Sequence, residues 1–536
     1  MVAAPLAAEA IPSESDVLIV GAGAAGCVYA AVLAQAGKSV TVLDGGPGWE
    51  ENDLVSSGIW SRRLRWGGQP TLSAGDHPAG VGFNSGWGFG GSALHHYGTW
   101  PRMFPADFSM ASDHGKGLDW PFSYETLQPF YDRVQSFVGV SGDAAAEPWR
   151  TKGDAPYPLP PLAIFNQARL IAKGFEAMDM AVAPSPMAIL SEPHGDSERE
   201  PCIYDGWCDA GCPTGALANP LVTYMPIAQK HGAVFASRAM VTRVRTDPAG
   251  RRAIGADYVD ASGTLRTARA KLVILAASTV HNPAILLNST SDAHPNGLGN
   301  ANDLVGRYFM THSIAPVYGF FDDEDAENYL GVTGAQMINH THFDKMSSGP
   351  GAFGSLQWLI GPVVKPNDLL GVAMSRADLF GKELEAFMQR ATRHMGVMFG
   401  FGEDLPQREN RIELSELGGP EGTRLPRVVH RFDEDGLGLA AFAEKLGLDV
   451  LAAAGANDPW AAPRASAHLI GGTVMGANPE TSVCDGYGRM HALDNLFLAG
   501  PGLFPTSGSS NPNFTNHAVS LRAAEHISQA WGSYTL

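Results

Sequence analysis

The sequence predicts a mixed fold, in which an α/β unit with a parallel sheet is interleaved with an α+β unit built on an antiparallel sheet. At 536 residues the chain is too long for one compact core. Near its start, an apolar run, a glycine-rich turn and a helical stretch follow one another in the order of a βαβ unit. Further on, short alternating runs separated by glycines are typical of antiparallel strands.

Composition and charge exclude several classes of protein. With 37 Lys+Arg against 55 Asp+Glu, the net charge of -18 disfavours nucleic acid and anionic lipid surfaces and favours a basic partner protein. No run approaches the roughly 20 apolar residues of a membrane span. Residues 1–15 lack the basic and apolar regions of a secretory signal, so we expect a cytoplasmic protein by default. Export to the periplasm with a partner subunit is the alternative.

The first motif predicts a dinucleotide site. An apolar run at 16–20 leads into Gly21-Ala-Gly23-Ala-Ala-Gly26, and a helical stretch and a second apolar run end at Asp44. Such glycines let the backbone approach a pyrophosphate at a helix N-terminus, and the acid takes ribose hydroxyls. The alternative is a tight turn without a ligand. After Asp44 the chain enters an irregular Trp- and Arg-rich stretch instead of repeating the βα pattern, which favours FAD over NAD.

A second glycine-rich segment spans residues 86–96 and contains Gly90, Gly91 and Ser92. Glycines here would let a flat ring system lie against the backbone, and a helix starting near Ser92 would direct amides at phosphate or flavin oxygens. A purely structural loop is the alternative. His95 and His96 follow, as flavin contacts, as a covalent attachment point or as ordinary polar residues.

Three of the five cysteines, Cys202, Cys208 and Cys212, have the spacing Cys-x5-Cys-x3-Cys and precede a proline. The odd total argues against a disulfide framework. The end of the motif matches an iron–sulfur run, and three thiolates suffice for a three-iron cluster because each iron then has one protein ligand. Inert thiols, zinc and a disulfide are the alternatives.

Near the C-terminus, His468 and Asn511 each lie in a Gly/Ser-rich segment. An imidazole and a carboxamide in such turns are suited to act as a proton acceptor and its hydrogen-bonding partner at a common point. The stretch between residues 303 and 454 carries no motif, and we expect it to cover the cofactor and shape a substrate pocket.

These motifs, with Gly500 at the end of an apolar run, resemble the glucose–methanol–choline (GMC) oxidoreductase family from about residue 15 to the C-terminus. The resemblance implies a Rossmann-like FAD-binding domain interleaved with a substrate domain on an antiparallel sheet. It implies FAD-binding segments at 15–155, 201–305 and 463–536, a linker and substrate segment at 156–200, and the main substrate segment at 306–462.

The resemblance also implies the roles of individual residues. His468 would be the base and Asn511 its partner, with His517 a bystander. FAD contacts are expected at Gly21, Gly23, Ala25, Gly26, Asp44, Gly45, Gly90, Gly91, Ser92, His95, Val241, Ala277, Gly500, Pro512 and Thr515. Within the family the chain is most similar to large subunits of bacterial sugar dehydrogenases, some of which hold a [3Fe-4S] cluster on the cysteine spacing seen at Cys202, Cys208 and Cys212.

The function expected from this resemblance is FAD-dependent oxidation of a sugar, glycoside or other alcohol. His468 would remove the hydroxyl proton while the carbinol hydride goes to the flavin N5. Electrons would pass through the cluster to a cytochrome or quinone, with a small companion subunit as a further partner. An oxidase that uses O2, or a dehydrogenase of a non-sugar alcohol without the cluster, is the alternative.

Overall fold

The computed structural model describes residues 11–64, 68–195 and 197–535. Residues 1–10, which carry most of the expectation about a secretory signal, lie outside the described residues. So does part of the Trp- and Arg-rich stretch, at 65–67.

The described residues form helices and strands in the following order along the chain. The strands are β1 (Glu14–Val20), β2 (Val40–Leu43), β3 (Leu72–Ala74), β4 (Ala183–Pro184), β5 (Val234–Ala236), β6 (Met240–Thr246), β7 (Ala253–Val259), β8 (Leu265–Leu275), β9 (Met310–Phe320), β10 (Met337–His342), β11 (Leu356–Ile360), β12 (Met395–Gly402), β13 (Arg411–Gly418), β14 (Arg424–Val429), β15 (Asn457–Ala461), β16 (Ala465–Ile470) and β17 (Leu496–Leu498). The helices are α1 (Ala24–Gln35), α2 (Gly58–Arg63), α3 (Val81–Asn84), α4 (Met110–His114), α5 (Tyr124–Val138), α6 (Asn166–Ala177), α7 (Tyr224–Lys230), α8 (Ser278–Asn288), α9 (Pro366–Ala373), α10 (Lys382–His394), α11 (Glu434–Ala453), α12 (Asn513–Gln529) and α13 (Trp531–Tyr534).

The first sheet is a parallel sheet with an antiparallel extension. Strands β5, β2, β1, β8 and β17 pair in parallel in that order. The early part of β8 also pairs antiparallel with β7, which pairs with β6. Every residue of β2 and β17 is buried, as expected for strands of a parallel sheet covered on both faces. Helices α7 and α12 pack on α1.

The second sheet is antiparallel throughout. Its order is β15, β9, β12, β11, β10 and β4, and β16 adds to β9. Side chains on one face of this sheet, such as Val317, Trp358 and Met398, form a core with Leu439 and Ala443 of α11. Because successive side chains of a strand point to opposite faces, the alternate residues face away from that core. A third, smaller sheet contains β13, β14 and β3.

The predicted fold class is therefore confirmed, since a nucleotide-type parallel sheet and an antiparallel sheet are built from alternating segments of one chain. The helix predicted to start near Ser92 is instead a short 3-10 helix at Gly91–Leu94. The backbone there starts from Gly90 with a φ of 89° and Gly91 with a φ of 53°, and a left-handed start interrupts α-helical hydrogen bonding. Within the described part of the chain, no helix has the length and apolar character needed to cross a membrane.

Candidate active site

A cavity of about 1150 Å³ lies between the first and second sheets. The glycine-rich turn before α1, the segment 84–99 and the start of α8 form one side of its wall. Strands β9, β11, β12 and β16 and the turn before α12 form another. Ligands of parallel α/β sheets bind beyond the carboxyl ends of the strands, and this cavity has that position relative to β1 and β2.

The turn before α1 depends on the absence of side chains. Gly21 has a φ of 103°, and a Cβ there would lie 2.4 Å from the carbonyl oxygen of Ala276. A Cβ on Gly26 would lie 2.0 Å from the carbonyl oxygen of Gly21. Helix α1 begins at Gly23 without a side-chain cap and without an acidic residue in its first turn. Its first amides are therefore available to a phosphate, and the residues of this turn fit the pyrophosphate of a dinucleotide.

Asp44 ends β2 and lies in the cavity wall. Its carboxylate accepts hydrogen bonds from the backbone N–H of Ala22 at 2.9 Å and of Gly46 at 2.8 Å. Burial raises the pKa of Asp44, against the lowering effect of these amides. Each carboxylate oxygen has a second acceptor position, so the side chain keeps the capacity to bind ribose hydroxyls.

The segment around Gly91 closes over the same turn. A Cβ on Gly91 would lie 3.1 Å from the Cα of Gly23, so the two glycine motifs are packed against each other. The Ser92 hydroxyl accepts from the N–H of Gly86 at 3.0 Å and donates to the carbonyl of Asn84 at 3.1 Å. The close approach explains the glycine at position 91, since a Cβ there would press against the backbone of Gly23.

The structure brings most of the predicted cofactor contacts to the cavity wall. Those in the wall are Gly21, Gly23, Ala25, Asp44, Gly45, Gly91, Ser92, His95, Val241, Ala277, Gly500 and Pro512. The other three predicted contacts, Gly26, Gly90 and Thr515, lie behind the wall. Gly26 packs under the Gly21 carbonyl, Gly90 against Leu94, and the Thr515 hydroxyl is 2.6 Å from the hydroxyl of Tyr131.

His468 and Asn511 meet in the cavity, as the sequence predicts. The Nδ2 atom of Asn511 is 3.3 Å from Nε2 of His468. His468 lies on β16 with a φ of 67°, a left-handed conformation that is uncommon for a residue with a side chain. Its backbone N–H donates to Oδ1 of Asn84 at 2.8 Å, which stabilises this conformation. Asn511 lies directly before α12.

A third residue, His312 on β9, determines which nitrogen of His468 is free. Nε2 of His312 lies 2.8 Å from the carbonyl oxygen of Gly508 and 3.3 Å from that of Ser507, so it must carry a proton. Burial lowers the pKa of His312 to about 4, so this ring is neutral and its Nδ1 is an acceptor. Nδ1 of His468, 2.8 Å from Nδ1 of His312, therefore donates, and Nε2 of His468 keeps its lone pair.

The amide of Asn511 is oriented by a similar chain of donors. Nε2 of His340 lies 2.6 Å from Oε1 of Gln357, and Nε2 of Gln357 donates to Oδ1 of Asn511 at 2.9 Å. Burial lowers the pKa of His340 to about 4, so this histidine is also neutral. Because the oxygen of Asn511 accepts from Gln357, its Nδ2 group points towards His468 as a donor.

His468 is held neutral by its surroundings. The imidazole lies in the cavity wall, and burial, with a smaller effect of His312, lowers its pKa well below the usual range. Phe401 lies beside it, with ring centroids 5.7 Å apart. A neutral imidazole with a free lone pair, facing an amide donor, can take a proton from a hydroxyl bound between them.

A buried ionic group and a buried hydrogen bond support the segment that carries the Gly508 carbonyl. Lys345 pairs with Asp107 and, at 2.7 Å, with Glu403, and all three side chains are fully buried. A Cβ on Gly508 would lie 2.9 Å from Oδ2 of Asp107. On the other side, the N–H of Asp404 donates to the Ser507 hydroxyl at 3.0 Å. The segment that fixes His312 is thus held from both sides.

The three clustered cysteines come together in one small apolar cluster, and none of them is a residue of the cavity wall. The backbone N–H groups of Tyr204 and Leu217 donate to the sulfurs of Cys202 and Cys212, each at 3.4 Å. Burial raises the pKa of the Cys202 thiol to about 11 and raises that of Cys208 further. None of the five cysteines forms a disulfide. No group of three or more His, Cys, Asp or Glu side chains among the described residues is arranged to hold a metal ion.

Sequence reasoning did not identify His312, Gln357 or His340, which lie in the part of the chain without a motif. The alternating pattern of β9, in which His312 precedes Ile314 and Pro316 at intervals of two, is the signal that places this histidine on the cavity face. His517 lies on α12, where its Nδ1 is 2.7 Å from the carbonyl of Asn513, and it is not itself a residue of the cavity wall.

Over nearly its whole length, the chain is similar in sequence and in fold to known oxidoreductases. The chain is 31% identical to 2-methyl-1,2-propanediol dehydrogenase of Mycolicibacterium austroafricanum, over 96% of this chain and 95% of that protein. It is 28% identical to the fructose dehydrogenase large subunit of Gluconobacter japonicus, over 96% and 98%. Among solved structures, pyridoxine 4-oxidase from Mesorbium loti matches with a TM-score of 0.67 and 16% identity, over 96% of this chain and 99% of that one.

Family models give the same result for most of the chain. The N-terminal GMC oxidoreductase model matches residues 15–314, and the C-terminal model matches residues 406–520. The chain therefore belongs to the GMC oxidoreductase family, the FAD-dependent oxidoreductases of alcohols and sugars that its motifs resemble.

Proposed function

We propose that this protein oxidises the CH–OH group of an alcohol or sugar to a carbonyl, with Nε2 of His468 as the base. The observation that carries the proposal is the hydrogen-bond pattern around His468. Its Nδ1 donates to His312, so the lone pair of Nε2 faces the cavity 3.3 Å from the amide of Asn511. The substrate loses a proton from oxygen to Nε2 and a hydride from carbon, and FAD, when bound, accepts the hydride.

The low pKa of His468 suits this role. The alcohol has a pKa far above neutrality, so its proton must be taken as the hydride leaves, and the base must be unprotonated beforehand. Burial keeps the imidazole neutral at physiological pH. The imidazolium formed in the reaction is unfavourable in the same environment, so it releases its proton readily before the next turnover.

Asn511 has a different task, which is to hold the reacting oxygen. Its Nδ2 group donates a hydrogen bond and carries no charge, so the contact persists at any pH. Because Gln357 fixes the opposite end of the amide, no reorientation is needed when negative charge develops on the substrate oxygen.

Replacement of His468 tests the proposal directly. In His468→Ala we expect the rate of anaerobic flavin bleaching by an oxidised alcohol to fall about 10²–10⁴-fold, measured by stopped-flow absorbance. The matched control is His231→Ala, an exposed histidine at the end of α7, which should bleach at the wild-type rate. Near-normal bleaching in His468→Ala, with FAD content unchanged, would rule out the assigned base.

We also propose that the electrons leave through a [3Fe-4S] cluster on Cys202, Cys208 and Cys212 to a cytochrome or quinone, with a small companion subunit. In such a cluster each cysteine binds a different iron, so the sulfurs need not converge on one ion. Two of the three sulfurs accept backbone hydrogen bonds. The cysteine loop also contacts the cavity wall, because the hydroxyl of Thr333 donates to the carbonyl of Gly206 at 2.7 Å.

Iron analysis and low-temperature EPR of anaerobically purified protein test this electron route. About three irons per chain, lost in Cys208→Ser, would support it. Iron-free protein that bleaches with substrate and then forms peroxide in air would favour the oxidase instead. The same preparation reports on His95, since FAD that stays with the denatured chain would show covalent attachment there.

The relatives do not decide the substrate. Their names include a dehydrogenase of a small branched diol and dehydrogenases of fructose and gluconate. The substrate class must therefore come from the cavity of this chain.

A further inference from the structure

The antiparallel sheet presents an apolar surface to the cavity. Strands β9, β11 and β12 together contribute six side chains to the wall, which are Ile314, Pro316, Tyr318, Leu359, Phe399 and Phe401. Only the hydroxyl of Tyr318 is polar in this set, and burial raises the pKa of that phenol to about 12.

These side chains form one continuous patch because the strands are paired in register. Phe401 lies opposite Ile314, Phe399 lies opposite Pro316, and Leu359 lies opposite Phe399 on the next strand. Cross-strand partners on one face are in contact. The patch begins beside the catalytic base, since the ring of Phe401 is 5.7 Å from that of His468. We refer to these six residues as the apolar patch.

The polar side chains closest to the apolar patch are already paired within the protein. The amide of Gln357 is used on both sides, by His340 and by Asn511. His312 is used by the Gly508 carbonyl and by His468. Of the described side chains that β9, β11 and β12 contribute to the wall, the Tyr318 hydroxyl is the one polar group left for a substrate. Nε2 of His468 and Nδ2 of Asn511, beside the apolar patch, are directed at the reacting oxygen.

Charged side chains in the described part of the wall lie on other elements. They are Asp44 at the end of β2, Arg424 on β14 and Arg464 before β16. The Arg424 guanidinium donates to the carbonyls of Ser415 and Leu414. That of Arg464 lies over the ring of Phe432, 5.1 Å from its centroid. None of the three belongs to the sheet that carries the apolar patch.

We infer that the substrate is an alcohol with an apolar body, such as a branched or cyclic hydrocarbon group next to the carbinol carbon, rather than a free sugar. The inference rests on the proposed function for the site. A sugar on the apolar patch would lose water from several hydroxyls and gain at most the Tyr318 hydroxyl as a partner, whereas a hydrocarbon body would gain from leaving water. Discrimination by unpaired polar groups is stronger than discrimination by size.

The test uses a ligand that binds without reacting. 1-Methylcyclohexanol has no carbinol hydrogen, so it occupies the site regardless of the chemistry at His468, and methyl β-glucoside has a ring of the same size with free hydroxyls. Binding to the holoenzyme is measured by calorimetry or by perturbation of the flavin spectrum. We expect the tertiary alcohol to bind at least 10-fold more tightly. Equal or tighter binding of the glucoside, or no binding of the tertiary alcohol, would overturn the inference.

A variant of the apolar patch tests whether these side chains cause the preference for the tertiary alcohol. Phe399→Asn should weaken binding of 1-methylcyclohexanol about 10-fold or more and reduce its advantage over the glucoside. The matched control is Met398→Leu, because Met398 directly precedes Phe399 on β12 and packs in the core on the opposite face. Its binding ratio should match that of the wild type. An unchanged ratio in Phe399→Asn, in protein with normal FAD content and thermal unfolding, would also overturn the inference.

Failure of the proposed function gives a different result. If 1-methylcyclohexanol binds preferentially but secondary cyclic and branched alcohols do not bleach the flavin, the substrate preference stands and the assigned oxidation is wrong. If sugars bleach the flavin faster than apolar alcohols, the oxidation stands and the substrate inference is wrong.

Discussion

At the scale of single residues, the geometry of the candidate site depends on the proton positions of five side chains, which are those of His312, His468, Asn511, Gln357 and His340. His312 and His340 are neutral, and each donates from Nε2, His312 to the Gly508 carbonyl and His340 to Gln357. It follows that His468 donates to His312 and that Gln357 donates to Asn511. His468 and Asn511 were predictable, because each stands in a glycine- or serine-rich turn. Their supporting residues were not, because His312 and Gln357 reach the site through the register of the second sheet.

The pH dependence of the reaction follows from the depressed pKa of His468. Because the pKa of His468 lies well below 6.5, its imidazole is unprotonated at pH 6.5 and above. The imidazole stops acting as a base only when the pH falls through this lower pKa. We therefore expect kcat/KM for an alcohol to stay level as the pH falls through 6.5 and to decline only in more acid solution. A limb centred near pH 6.5 would show that the base is an ordinary, solvated histidine.

His312 is predicted to act as a positioning residue. In His312→Leu, Nδ1 of His468 loses its acceptor, so the imidazole no longer has a fixed tautomer, and flavin bleaching should slow about 10–100-fold, as for other groups that orient a functional imidazole. His312→Asn keeps an acceptor oxygen near the position of Nδ1 and should recover part of the loss.

Two comparisons separate positioning from a structural role. The pH profile of His312→Leu should change, because the neutral Nδ1–H tautomer is no longer enforced, whereas its thermal unfolding and FAD content should stay close to those of His312→Asn. Equal rates and identical pH profiles for the two variants would contradict the assignment.

At the scale of elements, the best predicted parts are those whose local pattern and tertiary role agree. The apolar run before Gly21 forms β1, and the second apolar run, which ends at Asp44, forms β2. The predicted helix near Ser92 is wrong, because the two preceding glycines start it from a left-handed backbone. The glycines serve the contact with Gly23, which no local pattern reveals.

The segment before α12 depends on the buried Lys345 group. Lys345→Met would leave Asp107 and Glu403 as an unpaired pair of buried carboxyls, so we expect the free energy of unfolding to fall by about 3–5 kcal/mol. The matched control is Lys116→Met, which removes a partly exposed partner of Asp435 and should cost about 1 kcal/mol or less. Urea denaturation measures both, and similar losses in the two variants would contradict this account.

At the scale of the whole molecule, the cavity separates the two large sheets, so the cofactor that fills it should contribute to global stability. Removing FAD should lower the midpoint of thermal unfolding, and adding it back should restore the midpoint. For FAD at about 1,000 times its dissociation constant, binding adds about 4 kcal/mol to the free energy of unfolding. FMN lacks the pyrophosphate and adenosine that the Gly21 turn would hold, so it should restore less. Equal stability with and without FAD would contradict this prediction.

The arrangement of the cavity-facing side chains on the antiparallel sheet also affects how such a protein can change during evolution. The hydrogen-bonding residues His312 and Gln357 occupy one end of the sheet face, and the apolar patch extends from them along the same strands. Substitutions at Pro316 or Phe399 alter what the cavity accepts without touching a donor or acceptor of the catalytic pair. New substrates can therefore be acquired by changes two residues further along a strand, while the chemistry is inherited intact.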